Sequence, residues 1–213
     1  MHVAAVIPAY NEETTIAEIV RVLRQCDEVS EIIVVDDGSG DRTAERAQAA
    51  GARVVGHPYN LGKAGALKTG VQSTQAPVLL FLDADLIGLS PAHVRALLRP
   101  VLDGQADMTV GIFDDGRVAT DLAQMVAPYL SGQRALRREI MEELFRVEPH
   151  ADLAGYGIEV ALTRHVRDRG YRVVEVPLEE MSHRMKEEKL GLVKGVRARL
   201  KMYYEILKYA QKG

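Results

Sequence analysis

The sequence predicts an α/β fold built on a mostly parallel β-sheet that is flanked by helices. Short β-branched apolar runs alternate with segments of helical spacing, one run is apolar throughout, and polar residues follow several runs directly. Alternating strands and helices are typical of βαβ units, whose strands are parallel. With 213 residues, 47% of them hydrophobic, the chain is expected to form one domain.

The N-terminal half contains the clearest elements. Strands are predicted at residues 3–7, 31–35 and 52–56. Apolar residues at helical spacing indicate a helix between the first two strands, namely Ile16, Ile19, Val20 and Leu23. A fourth strand is predicted at 77–82, where five consecutive apolar residues suit a central strand that is covered on both faces.

The C-terminal half is less regular. Helices are predicted after Pro91 and around residues 130–145, and a strand at 170–176, just before Pro177. Residues 192–211 form an amphipathic pattern with an apolar stripe opposite a basic face. Residues 184–213 contain nine basic and three acidic residues, so they carry +6 of a chain whose net charge is −3, and the remainder carries −9.

Composition excludes several classes of protein. No apolar run approaches the roughly 18 residues of a membrane span, and no signal-peptide pattern is present, so a cytoplasmic protein is expected. The single cysteine, Cys26, has no partner for an internal disulfide and is expected to fill the core. Nucleic-acid binding is not expected, because the body is acidic and no recognition motif accompanies the basic segment.

Polar clusters follow three predicted strands at their carboxyl ends, where open parallel sheets bind ligands. Asp83 and Asp85 are two residues apart in extended chain, so both carboxylates point to one side. Such a pair suits Mg²⁺ or Mn²⁺ facing a pyrophosphate, although a solvated turn is the structural alternative. Asp36 and Asp37 follow the second strand, and helix capping by Ser39 or Asp41 is the alternative there.

The segment Asn60-Leu61-Gly62-Lys63-Ala64-Gly65 precedes a helical pattern. Its glycines and Lys63 offer backbone amides and a cation to a phosphate or a base carbonyl. The spacing is not that of a Walker loop. A glycine-rich turn with a surface lysine is the structural alternative.

Four segments, in this order, resemble family 2 glycosyltransferases of the GT-A fold: Val6-Ile7-Pro8-Ala9-Tyr10-Asn11-Glu12, Val34-Val35-Asp36-Asp37-Gly38-Ser39, Asn60-Leu61-Gly62-Lys63-Ala64-Gly65 and Leu82-Asp83-Ala84-Asp85. The resemblance implies a Rossmann-like GT-A domain over residues 1–213. It also implies a nucleotide-sugar site, whose pocket for the nucleoside would be lined by Pro8, Ala9, Tyr10 and Glu12. Asp37 and Lys63 would contact the base. The pair Asp83 and Asp85 would touch ribose and metal, and Ala84 between them would belong to the same nucleotide-sugar site.

The second half resembles the enzymes that make glucosyl-3-phosphoglycerate and, more loosely, polyprenyl-phosphate sugar transferases. This resemblance implies an acceptor site that contains Gly132, Gln133, Arg134 and Tyr156. It also implies that Glu159 ends a Gly-Tyr-Gly-x-Glu segment and that His183 joins Asp85 on the metal. This chain is shorter than typical members, and Ile87 stands where the polyprenyl-phosphate enzymes tend to carry glutamine.

The resemblance divides the domain into a nucleotide-binding half at 1–90, an acceptor half at 91–183 and the basic amphipathic helix at 184–213. The expected reaction is metal-dependent transfer of a sugar from a nucleotide-diphosphate sugar, with a UDP-sugar favoured over a GDP-sugar. The acceptor is a hydroxyl or phosphate, on a small phosphorylated acid or a polyprenyl phosphate. Asp85 and Glu159 are the predicted catalytic residues. Glu159 either orients the acceptor, acts as a general base in an inverting reaction, or is an ordinary first-turn glutamate.

Three further questions stay open at this point. A sugar-phosphate nucleotidyltransferase and a catalytically silent nucleotide-sugar-binding scaffold are the alternative functions. Arg134, Arg137 or Arg138 would hold an anionic acceptor, or would simply be solvated. The C-terminal helix would pack on the body, associate with a second copy as a homodimer, or lie peripherally on the anionic inner face of a membrane.

Overall fold

The computed structural model describes residues 2–113, 131–147, 157–179 and 181–183. The C-terminal helix predicted at 192–211 lies outside these residues, as does Tyr156. The proposed division at residues 90 and 183 therefore stays a prediction. Within the described ranges, no helix is long and apolar enough to cross a membrane.

The described residues form nine strands and six helices. The strands are β1 (Val3–Ala9), β2 (Glu31–Asp36), β3 (Arg53–Gly56), β4 (Val78–Phe81), β5 (Leu86–Ile87), β6 (Met108–Phe113), β7 (Arg134–Arg137), β8 (Val173–Leu178) and β9 (Ser182–His183). The helices are α1 (Ile16–Leu23), α2 (Thr43–Ala50), α3 (Gly62–Gln72), α4 (Pro91–Leu102), α5 (Arg138–Val147) and α6 (Gly157–Asp168).

Seven strands form one sheet in the order β3-β2-β1-β4-β7-β6-β8. β1 pairs in parallel with β2 and β4, β2 with β3, and β6 with β8. β7 runs antiparallel to both of its neighbours, β4 and β6. The predicted α/β fold with a mostly parallel sheet is therefore confirmed, with one reversed strand that the sequence did not indicate.

Helices cover both faces of this sheet, because alternate residues of a strand point to opposite sides. Val3, Ala5 and Ile7 pack in one apolar cluster with residues of α1 and α4. Ala4 and Val6 pack in a second cluster with residues of α3, α5 and α6. All four residues of β4 are buried, as the uninterrupted apolar run predicted. The sheet is thus a central layer between two helical layers.

Two helices show how local sequence fixes these layers. α1 begins at Ile16 and ends at Leu23, as the helical spacing predicted, and its apolar face is buried. α4 begins after a capping box: the Ser90 hydroxyl accepts a hydrogen bond from the backbone N–H of His93, and the His93 ring accepts one from the backbone N–H of Ser90. Cys26 is buried in the first cluster, which confirms its predicted place in the core.

The helix predicted around residues 130–145 is wrong over its first half. Residues 134–137 form β7, and the helix α5 begins only at Arg138. Ala135 and Leu136 belong to opposite apolar clusters, as expected of a strand. β7 has only four residues and continues directly into the amphipathic helix α5, with no turn residue between them. Its alternating pattern is therefore too short to be distinguished from the helical pattern that follows.

The strand predicted at 170–176 is shifted toward the C-terminus. β8 begins at Val173 and continues through Pro177, which lies opposite Ile112 in β6. β8 is the last strand of the sheet, and an edge strand tolerates a residue that lacks a backbone N–H. β6 and the small ribbon formed by β5 and β9 were not predicted from the sequence.

Asp107 connects three strands at the end of the sheet opposite the polar clusters that follow β1, β2 and β4. Its carboxylate accepts hydrogen bonds from the backbone N–H, Nε and Nη2 of Arg172 at 2.9–3.1 Å, and lies 3.3 Å from Arg137 Nη2. The hydrogen bonds from the Arg172 side chain outweigh burial and lower the pKa of Asp107 below its ordinary value. This contact links β6, β7 and β8.

Replacing this carboxylate tests the contribution of the contact. Asp107→Asn is expected to lower the free energy of unfolding at neutral pH by about 2 kcal/mol, because it weakens hydrogen bonds to a charged group. The pKa of Asp107 is lowered in the folded state, so its contribution is complete above the unfolded pKa and is lost as the pH falls through the folded pKa. Urea denaturation should therefore show the gap between wild type and variant closing below about pH 4.

Asp103→Asn is the matched control, since Asp103 directly follows α4 and its exposed side chain pairs with Arg99. Its effect should stay within about 0.5 kcal/mol. An Asp107→Asn gap of the same size at neutral and acidic pH would contradict the role given to the Asp107 carboxylate.

Candidate active site

The predicted nucleotide-binding residues lie at the carboxyl edge of the sheet, on both sides of β1. The chain adds β2 and β3 on one side of β1 and then returns to add β4 on the other side. Ligands bind outside an open sheet at such a switch in strand order. Pro8 and Ala9 are the last residues of β1, and Asp83, Ala84 and Asp85 begin two residues after β4 ends.

The loop after β1 is fastened to the loop after β2. Asn11 has a φ of 56°, in the left-handed region, and its backbone N–H donates to Ser39 Oγ at 2.9 Å. Asn11 Oδ1 accepts from the backbone N–H of Gly40 at 2.9 Å. Tyr10, which precedes this turn, is 49% exposed. The turn thus leaves an aromatic ring at the edge where a nucleoside would bind.

A second set of contacts fastens the same loop to the start of α2 and to the segment after β4. The backbone N–H of Glu12 donates to Thr43 Oγ1 at 2.8 Å. Thr15 Oγ1 donates to the carbonyl oxygen of Ala84 at 2.6 Å. Glu12 and Ala84 therefore lie on neighbouring, mutually bonded segments, although they are far apart in sequence.

Asp37 organises the segment that leads into α3. Its carboxylate is buried and accepts from the backbone N–H of Leu61 at 2.9 Å through Oδ1, and from that of Gly62 at 2.8 Å through Oδ2. The imidazole Nδ1 of His57 lies 2.7 Å from Oδ1. The start of α3, which contains Gly62 and Lys63, is thus positioned by an aspartate that follows β2.

Lys63 lies in the first turn of α3 and connects two carboxylates. Its ammonium is 2.5 Å from Asp83 Oδ1 and forms a second ion pair with Glu159, in the first turn of α6. Burial favours the neutral amine, but the two carboxylates outweigh it and raise the pKa of Lys63 well above its ordinary value. The lysine is therefore charged throughout the neutral range, and the surface position considered from the sequence is excluded.

Arg134 adds a second cation to this group. It is the first residue of β7, its side chain is 1% exposed, and Nε donates to the carbonyl oxygen of Ser131 at 2.9 Å. Burial lowers the pKa of Arg134 to about 10, and the carboxylates of Glu159 and Asp83 limit the fall. Two cations and two carboxylates thus balance one another in what we call the charge cluster: Lys63, Asp83, Arg134 and Glu159.

Gln133 and Gly132 shape the wall beside Asp83. Gln133 is fully buried, and its Nε2 donates to Asp83 Oδ2 at 2.9 Å. A Cβ atom added to Gly132 would lie 2.5 Å from both Asp83 oxygens and 2.6 Å from Lys63 Nζ. Only a residue without a side chain lets this loop approach the carboxylate so closely.

The ribbon of β5 and β9 brings together the two predicted metal ligands along the backbone. Leu86, which follows Asp85, pairs with His183. The described residues contain no group of three or more His, Cys, Asp or Glu side chains that could hold a metal. A carboxylate and an imidazole on adjacent segments fit Mg²⁺ or Mn²⁺ when the cation takes its other ligands from substrate phosphates and water, as these ions usually do.

Two arginines considered for the acceptor lie elsewhere. Arg137 is the last residue of β7 and pairs in register with Val78 at the start of β4, so it lies at the opposite edge of the sheet. It pairs there with Asp107 and Glu139, and Arg138 pairs with Glu142. The suggestion that Arg137 or Arg138 holds an anionic acceptor is therefore wrong. Tyr156 lies outside the described residues.

Sequence reasoning missed His57 and the positioning role of Gln133. His57 directly follows β3, at the same edge as the other polar residues. Its position after a strand was the signal available in the sequence, but one histidine after a short strand has no motif around it. The contact between Gln133 and Asp83 joins residues 50 positions apart, and no spacing rule indicates it.

Comparison with known proteins gives a family and a set of relatives. Residues 4–155 match the family model for glycosyl transferase family 2. The glucosyl-3-phosphoglycerate synthase of Mycobacterium tuberculosis (strain ATCC 25618 / H37Rv) is 32% identical over an alignment of 204 positions, and the match covers 78% of this chain and 61% of that protein. The undecaprenyl-phosphate 4-deoxy-4-formamido-L-arabinose transferase of Edwardsiella ictaluri is 27% identical over an alignment of 217 positions, and the match covers 90% of this chain and 64% of that protein.

A solved structure agrees with the sequence relatives. The crystal structure of the M. tuberculosis synthase in complex with Mn²⁺, UDP and glucosyl-3-phosphoglycerate superposes with a TM-score of 0.73 at 32% identity, covering 86% of this chain and 72% of that chain. The same enzyme has also been crystallised with Mg²⁺ and UDP. The chain spans about three fifths of the length of the curated relatives it matches.

The close approach of Gly132 to the charge cluster can be tested by adding one methyl group. Gly132→Ala is expected to push Asp83 away from Lys63 and to lower the free energy of unfolding by about 1–3 kcal/mol, the usual cost of overpacking a buried site. Thermal unfolding measures the change. Gly56→Ala is the control, because a Cβ there would meet no atom within 4 Å. Equal melting temperatures for Gly132→Ala and wild type would show that the loop does not press on the cluster.

Proposed function

This chain belongs to glycosyl transferase family 2, and on that premise we propose that it transfers a sugar from a nucleotide-diphosphate sugar to an anionic acceptor. The donor we propose is a UDP-sugar, since the M. tuberculosis relative has been crystallised with UDP-glucose and with UDP. A GDP-sugar is the alternative donor. Membership of this family favours sugar transfer over nucleotidyl transfer.

One observation carries the proposal: the segments after β1, β2 and β4 are bonded to one another at a single edge of the sheet. The loop after β1 is bonded to Ser39 on one side and, through Thr15, to Ala84 on the other. A nucleotide sugar presents a base, a ribose and a diphosphate in a row. Asp37 follows β2, and Asp83 and Asp85 follow β4. In this proposal Asp37 contacts the base, Asp83 the ribose, and Asp85 the metal at the diphosphate.

The lone pairs of Asp37 support a uracil base. A carboxylate can accept about four hydrogen bonds, two on each oxygen. His57 and the backbone N–H of Leu61 donate to Oδ1, and the backbone N–H of Gly62 donates to Oδ2. The remaining direction suits one N–H donor, which the imide of uracil provides. Guanine offers an N–H and an amino group side by side, and cytosine presents an acceptor at the same ring position. We therefore propose UDP as the leaving group.

The metal is assigned to Asp85 and His183 in this proposal, with the diphosphate oxygens as further ligands. When bound there, Mg²⁺ or Mn²⁺ would neutralise the charge that builds on the departing nucleoside diphosphate. Lys63 contributes a fixed positive charge at the same edge, and Gln133 holds Asp83 in its orientation. Contacts within the protein thus fix the positions of Lys63 and Asp83.

Glu159 is the proposed catalytic residue on the acceptor side, with Gly132 and Tyr156 as proposed acceptor contacts. Its carboxylate is 3% exposed and is held by Lys63. In an inverting reaction this carboxylate would take the proton of the acceptor hydroxyl, and in a retaining reaction it would orient the acceptor. The anomeric configuration of the product, read by NMR, distinguishes the two.

The acceptor we propose is a small phosphorylated acid, because the relatives at 32% identity make glucosyl-3-phosphoglycerate. A polyprenyl phosphate is the second candidate. It is supported by the E. ictaluri relative and by the +6 charge of residues 184–213, which suits an anionic membrane surface.

Donor binding is expected to depend on metal. Calorimetry should show UDP binding at least roughly tenfold more weakly in EDTA than in Mn²⁺, because the cation would bridge the protein carboxylate and the diphosphate. Asp85→Asn should bind UDP in Mn²⁺ as weakly as wild type does in EDTA, whereas Asp27→Asn, at an exposed position after α1, should bind normally. Equal affinity of the wild type for UDP in EDTA and in Mn²⁺ would contradict the assignment of a metal to Asp85 and His183.

Turnover tests the acceptor. With UDP-glucose and Mn²⁺, release of UDP is expected to rise at least about tenfold over the acceptor-free rate when 3-phosphoglycerate is added, since an oriented acceptor replaces water. Polyprenyl phosphate in anionic vesicles is the second arm. Stimulation by the lipid alone would replace the small-acid acceptor with the lipid. Binding of UDP-glucose without transfer to either acceptor would favour the silent scaffold.

A further inference from the structure

His57 occupies the end of β3 with both ring nitrogens engaged. Its side chain is 8% exposed, Nδ1 lies 2.7 Å from Asp37 Oδ1, and Nε2 lies 2.9 Å from Thr69 Oγ1 on α3. Its backbone N–H donates to the carbonyl oxygen of Asp36 at 2.8 Å. The ring therefore bridges β2, β3 and α3 beneath the loop that enters α3.

These partners define the roles of the two nitrogens. A carboxylate only accepts hydrogen bonds, so Nδ1 must carry the hydrogen that faces Asp37. In the neutral ring Nε2 then accepts from the Thr69 hydroxyl. The His57 ring therefore orients the Asp37 carboxylate. In many binding sites a residue that contacts the ligand is held in this way by a hydrogen bond from a residue behind it.

The orientation matters because the remaining contacts of Asp37 lead directly to Lys63. Asp37 accepts from the backbone N–H groups of Leu61 and Gly62, and Lys63 is the next residue. Rotation of the Asp37 carboxylate would therefore disturb both the lone pair left for the base and the start of α3. Thr69, two turns further along α3, anchors the other end of the bridge.

We propose that His57 is a positioning residue for nucleotide recognition, which holds Asp37 so that its remaining Oδ2 lone pair meets the N–H of a uracil base. This inference rests on the function proposed above. His57 itself does not touch the nucleotide. Its loss should weaken binding of the base and the preference for uracil, and should leave the step at the sugar carbon largely unchanged.

Three variants separate the contacts of His57. His57→Ala removes both, Thr69→Val removes the hydroxyl beyond the ring, and His57→Asn retains an amide N–H where Nδ1 stands. His93→Ala is the matched control, because His93 caps α4 through Ser90 and has no described contact with Asp37. Circular dichroism and thermal unfolding establish that each variant is folded.

Calorimetry with UDP and with CDP, in Mn²⁺, measures affinity and preference. His57→Ala is expected to bind UDP roughly tenfold or more weakly, as for a lost charge-assisted hydrogen bond, and to lose most of the preference for UDP over CDP. Thr69→Val should show a smaller loss in the same direction, and His57→Asn should recover most of the affinity. With UDP-glucose, KM should rise while kcat changes less than about threefold.

Several results would overturn the inference. A folded His57→Ala that binds UDP like wild type would do so, as would one that loses affinity for UDP and CDP equally, since a merely structural role predicts no change in preference. If His57→Ala does not fold, an unchanged preference in Thr69→Val decides against the inference. Wild type that fails to bind UDP in Mn²⁺ would instead remove the proposed function, and this inference with it.

Discussion

The arrangement of the site depends on one partly buried ammonium group, that of Lys63, held between the carboxylates of Asp83 and Glu159. Buried charges are stable only when they are paired, and removal of one partner leaves the other uncompensated. Lys63 comes from α3, Asp83 from the end of β4 and Glu159 from α6, so this pairing fixes two helices against the central strand. Arg134 completes the charge balance from β7.

The same interaction is one of several contacts that hold the carboxylates of the site. Asp83 is held on one oxygen by Lys63 and on the other by Gln133, and Asp37 is held by two backbone amides and a histidine. Side chains that are already fixed lose little conformational freedom when a ligand binds. The charge cluster takes Lys63 and Asp83 from the first 90 residues and Arg134 and Glu159 from later in the chain.

The sequence predicted those parts of the fold and site that rest on local patterns. The strands β1 to β4 and the helix α1 were identified from apolar spacing, and the polar residues after β1, β2 and β4 do lie at one edge of the sheet. What was missed depends on tertiary pairing. β7 is a strand because β4 and β6 accept it, and Arg134 is buried because two distant carboxylates compensate its charge. Neither the pairing of β7 nor the burial of Arg134 produces a periodic pattern in the sequence.

The reversed strand β7 has a consequence for synthesis of the chain. One edge of β4 is covered by β1 as soon as β4 emerges, but the other edge waits for residues 134–137, about 50 residues later. At roughly 5–20 residues per second, a ribosome needs several seconds to supply them. During that interval four apolar residues present unpaired backbone groups, the feature that invites edge-to-edge aggregation. This edge of β4 is thus open to pairing with another chain until β7 has been synthesised.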